Sequence, residues 1–179
     1  PQMYRRVIME CHLSKILPRS IRAQLVEKWV DFGGFRQSGV RKGSGCDLAS
    51  LAVDTFLDLM NSLGKRAAIL FVDIVGAFDA VLYELLVGTQ LEPQELCVKL
   101  ERLRIDKEKI DIIVDRLVSF TAILHAADLD DDFVDVVRAF LCGGWYSVDG
   151  VPEVLPLIRG TRPGSNMADV LFGFVSVDM

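Results

Sequence analysis

The chain has 179 residues, 51% of them hydrophobic, and a formal net charge of −5 at pH 7. That length is enough for one sizeable core, and no apolar run approaches the ~18 residues that a transmembrane helix needs. The N-terminus shows no charged-then-apolar signal pattern, so the sequence predicts an intracellular protein without a membrane span. Because the chain begins at Pro1, we expect it to be a piece of a longer protein. Its four cysteines form no Cys-x-x-Cys pair, which favours reduced thiols over disulfides or zinc.

The charge distribution separates the first quarter of the chain from the rest. Residues 1–45 hold nine Lys or Arg and three Asp or Glu, whereas residues 46–179 hold eleven and twenty-two. A chain of net negative charge with one basic segment suits a protein that contacts a polyanion on one face only. The alternative is an uneven surface charge with no nucleic-acid partner.

The first part of the chain alternates between apolar periodicity and breaks at glycine or proline. An apolar side recurs at helical spacing in residues 47–63, through Leu48, Leu51, Ala52, Phe56, Leu59 and Met60. The elements predicted there are, in chain order, a short strand at 4–9, a helix at 13–29 that Pro18 would bend or split, a basic loop at 31–45, a helix at 47–63 with Gly64 at its C′ position, and a strand at 67–73.

The strand at 67–73 is an unbroken apolar run that ends on Asp73. A buried strand that ends on an acid holds that acid at the edge of a sheet, where magnesium binding through carboxylates is one use for it. A turn of small residues then leads to Phe78 and Asp79. We expect Asp79 to be the N-cap of a helix at 79–87, since its side chain can accept hydrogen bonds from free amides of the first turn.

The second part of the chain is predicted to be helical from about 93 to 141, followed by a strand or short hairpin at 148–158, a turn at 159–165 and a helix at 167–175. The acidic run 128–132 precedes apolar helical periodicity, so we interpret it as a helix start and not as a metal site. Few strands among many helices predict the α+β class.

Three segments combine basic residues with glycine or aromatic residues, as phosphate-facing surfaces do. They are residues 4–8, residues 37–43 and the turn at 159–165. The alternative for the first two is a solvated basic loop, and for the third a strand–turn–helix joint that uses glycine for its geometry.

Taken together, these segments resemble the reverse transcriptase family, closest to the type that non-LTR retrotransposons encode. The palm motif A of that family, an apolar strand followed by Asp-x-x-x-Ala-Phe-Asp, is similar to residues 67–79 throughout. Its motif B, Gly-Val-Arg-Gln-Gly-Asp-Pro-Leu-Ser-Pro-Leu-Leu-Phe, resembles residues 160–172, where Gly160, Arg162, Gly164, Leu171 and Phe172 are kept. The fingers patterns Tyr-Arg-Pro-Ile and Gln-x-Gly-Phe-Arg resemble residues 4–7 and 37–41.

The resemblance implies a partial right-hand polymerase. Residues 1–66 would be a fingers-like segment and residues 67–179 a partial palm, with motif A at 67–79, a helix-rich insertion at 80–142 and motif B at 156–174. The intact protein would extend a DNA primer on an RNA template from deoxynucleoside triphosphates, by nucleotidyl transfer with two Mg²⁺ ions. Motif C, the aromatic-x-Asp-Asp hairpin with the remaining metal ligand, is missing, and so is the thumb, so we expect this fragment alone to be inactive.

The resemblance also implies residue roles. Asp73 would be the catalytic metal ligand, with the carbonyl of Ile74 assisting at one ion. Phe78 would lie under the incoming sugar and exclude a 2′-hydroxyl by its bulk. The remaining nucleotide- or template-binding residues would be Arg5, Arg41, Arg162 and Gly164.

Departures from the family pattern leave a second hypothesis open. Pro163 stands where the family has Gln, Asn166 where it has Pro, and the acidic helical insertion is longer than expected. A degenerate, retroelement-derived protein that serves as a non-catalytic helical binding or scaffold protein would carry such changes. An RNA-templated RNA polymerase is a third, fainter option, against which the bulk of Phe78 argues.

Overall fold

The structure, a computed structural model, describes residues 15–33, 37–74, 76–162 and 164–177. The strand predicted at 4–9 and Arg5 lie outside the described residues. The described part is mostly helical with one small antiparallel sheet, so its composition is mixed α and β. Its elements are α1 (Ile16–Phe32), α2 (Cys46–Ser62), α3 (Ala77–Ala80), α4 (Tyr83–Val87), α5 (Pro93–Arg102), α6 (Lys107–Ser119), α7 (Ile123–Ala126), α8 (Asp131–Cys142), β1 (Trp145–Tyr146), β2 (Leu155–Pro156) and α9 (Ala168–Ser176).

The predicted helix at 13–29 is confirmed as α1, but the expectation that Pro18 would bend or split it is wrong. Pro18 is the third residue of α1. The amides of the first turn have no carbonyl partner within the helix, so a proline there removes no hydrogen bond.

The main core lies where α1 packs against α9, with α4, α7 and α8 closing it. Trp29 of α1 is 1% exposed, and its ring centroid lies 5.9 Å from that of Phe174 in α9. Phe32 contacts the same ring at 5.5 Å. A helix of the predicted fingers-like segment therefore shares one core with the last helix of the predicted palm segment.

A second, smaller core lies between α5 and α6. It is made of Leu82, Leu96, Leu100, Leu103, Ile110, Val114 and Leu117. Helix α5 begins with a capping box, in which the backbone amide of Glu92 donates to Glu95 Oε2 at 3.1 Å. This helical hairpin thus buries its own apolar side and starts at the proline that the sequence indicated.

The acidic run before α8 is confirmed as a helix start. Asp130 is the N-cap of α8, and its side chain accepts a hydrogen bond from the amide of Phe133 at 2.8 Å. Asp128 has a positive φ of 60° and forms an ion pair with Lys28 at 2.9 Å. The hydrogen bond and charge of Lys28 lower the pKa of the Asp128 carboxyl.

Helix α2 confirms the predicted helix at 47–63, including its end. Gly64 has a φ of 63° and donates to the carbonyl of Asn61 at 3.0 Å, while the amide of Lys65 donates to the carbonyl of Met60 at 2.9 Å. This is the Schellman arrangement, in which a left-handed glycine closes the helix. However, none of the residues of α2 is buried, so its apolar side has no cover among the described residues.

The prediction of a buried strand at 67–73 is wrong for this structure. Leu70, Phe71 and Val72 are between 75% and 86% exposed, and residues 65–74 belong to neither helix nor ladder. A strand exists only when a neighbour accepts and donates its backbone hydrogen bonds. Within the described ranges the only ladder joins β1 and β2, with Trp145 opposite Pro156 and Tyr146 opposite Leu155. The hairpin predicted at 148–158 therefore forms, but its first strand begins earlier than predicted.

The helix predicted at 79–87 is divided into α3 and α4 by the residues Val81 and Leu82. The carbonyl of Val81 accepts a hydrogen bond from the amide of Gly160 at 2.7 Å, which fixes the break. The prediction that Asp79 is the N-cap is also wrong. Gly76, with a φ of 65°, is the N-cap of α3, and Asp79 is the third residue of that helix. An acid there still favours the positive end of the helix.

Candidate functional site

The turn around Phe78 and the turn that begins at Arg159 lie against each other. The amide of Gly160 donates to the carbonyl of Val81 at 2.7 Å, and the amide of Thr161 donates to the carbonyl of Phe78 at 2.8 Å. The rings of Phe78 and Phe172 have centroids 5.0 Å apart. We call residues 76–81 and 159–162 the paired turns. The segment that contains Phe78 and the glycine-containing turn at 159–162, which the sequence analysis identified separately, are therefore in direct contact.

Gly160 allows the paired turns to approach this closely. Its φ is +92°, in the left-handed region. A Cβ atom at this position would lie 3.1 Å from Asp79 Cα and 3.1 Å from the carbonyl oxygen of Phe78. The second of the paired turns therefore makes a close approach to the backbone of Phe78 and Asp79.

Gly160→Ala should destabilise the chain more than Gly150→Ala does. Both glycines have positive φ, 92° and 78°, but a Cβ at Gly150 would meet nothing within 4 Å. At either site we expect the left-handed backbone to lower the free energy of unfolding by about 1–2 kcal/mol. At Gly160 overpacking should lower it by a further ~1–3 kcal/mol. Urea unfolding followed by circular dichroism measures both. Equal losses would mean that the close approach at Gly160 contributes nothing to stability.

Arg162 is the last residue of the paired turns, and its side chain contacts the end of α8. Its guanidinium donates to the carbonyl of Phe140 and, at 3.1 Å, to that of Leu141, and lies 4.3 Å over the Phe140 ring. A cation that binds the last carbonyls of a helix also interacts favourably with the helix dipole. The structure thus gives Arg162 a positioning function, and its predicted contact with template or nucleotide stays a prediction. Gly164, with a φ of +101°, is exposed beside it.

Asp73 and Ile74, the predicted metal ligands, lie five and four residues before Phe78. Both are exposed, and the carbonyl of Ile74 already accepts a hydrogen bond from the amide of Ala77 at 3.2 Å. Oxygen donors of this kind suit Mg²⁺, but two octahedral ions need several more ligands than one carboxylate and one carbonyl. No group of three or more His, Cys, Asp or Glu side chains converges among the described residues. The described residues therefore do not by themselves fit a two-metal centre.

Arg41, another predicted nucleotide-binding residue, lies apart from the paired turns. Arg41 donates to the carbonyl of Val30 at 2.8 Å, near the end of α1, and Arg5 is outside the described residues. The paired turns thus bring Phe78 next to the turn that leads through Arg162 to Gly164. Asp73 lies five residues before Phe78 in the sequence. The roles of all seven predicted residues stay predictions.

Sequence reasoning missed a charged cluster around α4. Glu84 is buried and forms an ion pair with Lys99 at 2.5 Å, and Lys99 Nζ lies 5.5 Å over the ring of Tyr83. Burial raises the pKa of Tyr83 to about 12, although the nearby guanidinium of Arg162 opposes this shift. Burial also raises the pKa of the Cys142 thiol. No spacing in the sequence indicates these contacts, because they join four separate elements.

Comparison of the chain with protein-family models, with curated proteins and with solved structures finds no match. The resemblance to reverse transcriptases therefore rests on the sequence motifs alone. In the part of the chain that the structure describes, no helix combines the length and the apolar character needed to cross a bilayer.

Proposed function

We propose that this chain is the fingers-and-palm portion of a reverse transcriptase-like polymerase. In the intact protein it would take part in RNA-templated DNA synthesis by two-metal nucleotidyl transfer, with Mg²⁺ as the cofactor and an RNA template, a DNA primer and deoxynucleoside triphosphates as partners. The observation that carries the proposal is the contact between the paired turns.

The contact supports the proposal because motifs A and B must serve one nucleotide site. Phe78 would exclude the 2′-hydroxyl of the incoming sugar, and Gly164 would let template and nucleotide pass close to the backbone. These roles require the two turns to be neighbours, although 81 residues (79–159) lie between Phe78 and Gly160 in the sequence and only the fold can join them. The hydrogen bonds from Gly160 and Thr161 meet that requirement.

The alternative is a degenerate copy that serves as a non-catalytic binding or scaffold protein. Two observations favour it. Asp73 is exposed and, within the described ranges, belongs to no group of three or more His, Cys, Asp or Glu side chains. The guanidinium of Arg162 is engaged by the last carbonyls of α8. An intact parent protein without templated synthesis would decide for this alternative.

The sugar-gate role of Phe78 gives the direct test. In the intact parent protein, Phe78→Val should raise the use of ribonucleotides relative to deoxynucleotides by about tenfold or more, because the smaller side chain leaves room for the 2′-hydroxyl. Primer extension on an RNA template with each nucleotide type measures the ratio. Phe120→Val, at an exposed aromatic residue after α6, is the matched control and should leave the ratio unchanged.

Two results would count against the proposal. Synthesis with an unchanged ratio in Phe78→Val would remove Phe78 from the nucleotide site. Absence of RNA-templated extension by the folded parent protein would leave the binding or scaffold function as the better account.

A further inference from the structure

An extended uncovered apolar surface is formed by α2 together with residues 63–74, which we call the exposed arm. Ten of its large apolar side chains are between 40% and 86% exposed, and Val53, Met60 and Ile69 are half-buried. The ten are Leu48, Leu51, Phe56, Leu57, Leu59, Leu63, Leu70, Phe71, Val72 and Ile74. Together they expose on the order of 1,000 Å², which is more than a folded monomer usually leaves to water.

The backbone of the exposed arm is uncovered as well. No backbone hydrogen bond joins residues 66–73 to another described residue. A run of unpaired amides and carbonyls with apolar side chains is a template for strand pairing. Among the described residues, the backbone of 66–73 thus has no hydrogen-bond partner, and the side chains of Leu70, Phe71 and Val72 are largely uncovered.

We propose that a second copy of this chain covers the exposed arm, by antiparallel pairing of residues 65–73 about a two-fold axis. Such an axis passes between the strands at right angles to their ribbon, so it must set one residue opposite its own copy. We infer that Ile69 is that residue. Lys65 then faces Asp73 of the other copy, Ala67 faces Phe71, and Ala68 faces Leu70.

The charges of the segment argue for a second copy over other occupants. Lys65 lies four residues before Ile69 and Asp73 lies four residues after it. Neither side chain forms an ion pair with another described residue. In the proposed register Lys65 and Asp73 of each copy therefore pair with Asp73 and Lys65 of the other copy, while Arg66 lies opposite Val72. Opposite charges directly across a ribbon attract.

The neighbouring register fits less well. Centred on Leu70, it would place Asp73 opposite Ala67 and Arg66 opposite Ile74, which leaves both charges without a partner. The register centred on Ile69 also sets a small residue opposite a large one at two pairs, so that Phe71 and Leu70 meet alanines instead of one another. The pairing of Lys65 with Asp73 and of alanines with large residues thus favours the register centred on Ile69 over the one centred on Leu70.

Helix α2 completes the proposed interface. A two-stranded ribbon alone is marginal in water and needs a packed helix or further strands. The Gly64 turn joins α2 directly to the segment, so each copy brings its own uncovered apolar helix to the ribbon. An exposed apolar surface on the order of 1,000 Å² per copy exceeds the ~800 Å² per partner of a standard interface.

Sedimentation of the 179-residue chain over a concentration series tests the proposal, with a monomer–dimer equilibrium as the expected result. Lys65→Glu and Asp73→Lys should each raise the dimer dissociation constant about tenfold, because two attractive pairs become repulsive. An equimolar mixture of these two variants should recover the affinity, since each then supplies the charge that the other needs. Lys42→Glu and Asp111→Lys, at exposed residues outside the arm, are the controls for net charge.

Several results would overturn the proposal. They are a monomer at all concentrations, assemblies without a defined size, or single variants that dimerise as tightly as the unchanged chain. Recovery by the mixture is specific to the register, because net charge alone cannot produce it. Amide hydrogen exchange gives a second measurement, and residues 66–73 should be protected at concentrations where the dimer forms and exchange freely on dilution. None of these measurements depends on polymerase activity.

Discussion

Asp73→Asn should abolish RNA-templated primer extension by the intact parent protein, with a loss of at least about a thousandfold. The amide keeps the shape of the carboxylate and removes the negative charge that the proposal assigns to magnesium binding. Asp73 is exposed and packs against no core, so the substitution should leave the fold unchanged. Extension rates at matched protein concentration, together with circular dichroism of both proteins, provide the measurement.

Asp79→Asn is the matched control for the loss of a carboxylate in the same segment. Asp79 lies in the first turn of α3 and is only six residues away, so both variants carry the same chemical change. We expect Asp79→Asn to retain most of the synthesis. Equal losses in the two variants would assign the effect to the folding of this turn, and unchanged turnover in Asp73→Asn would remove Asp73 from the site.

Trp29→Ala should lower the free energy of unfolding by about 3–5 kcal/mol. The side chain is 1% exposed and lies between α1 and α9, where its ring contacts that of Phe174. A Cβ added at Gly173 would lie 3.1 Å from Trp29 Nε1, so the helices approach closely around the indole. Its removal leaves a cavity that two packed helices cannot fill. Urea unfolding followed by far-ultraviolet circular dichroism measures the loss.

Trp29→Phe separates the loss of ring packing from the loss of the indole. Among the described residues the indole nitrogen has no hydrogen-bond partner, so the phenylalanine removes no hydrogen bond. We expect this variant to lose about 1–2 kcal/mol, clearly less than Trp29→Ala. An alanine variant as stable as the unchanged chain would mean that α1 is not held against α9 by this side chain.

The sequence predicts those parts of the fold whose determinants are local. The end of α2 follows from Gly64, and the start of α8 follows from the side chain of Asp130, because each contact lies within a few residues of the element that it closes. Whether residues 67–73 are buried or exposed could not be predicted in the same way. Apolar residues show that a segment needs cover, but the cover must come from elsewhere in the fold or from another molecule.

The candidate site likewise has local features that the sequence predicts and tertiary contacts that it does not. Phe78 and the glycine turn were found from their spacing, but the break between α3 and α4 depends on a hydrogen bond from Gly160 that no local pattern shows. The engagement of Arg162 by α8 likewise depends on tertiary packing. Motif spacing therefore predicts which segments belong to the candidate site, and only the fold shows which of their side chains are engaged by other parts of the chain.

The hydrogen bond between Val81 and Gly160 has a topological consequence for the chain between them. It closes residues 81–160 into a long loop whose two ends are held together, and the α5–α6 hairpin within this loop has a small core of its own. Doubling the length of such a loop adds only ~0.6 kcal/mol of closure entropy. The hairpin can thus lengthen, shorten or diverge during evolution while the geometry of the Val81–Gly160 contact stays constant.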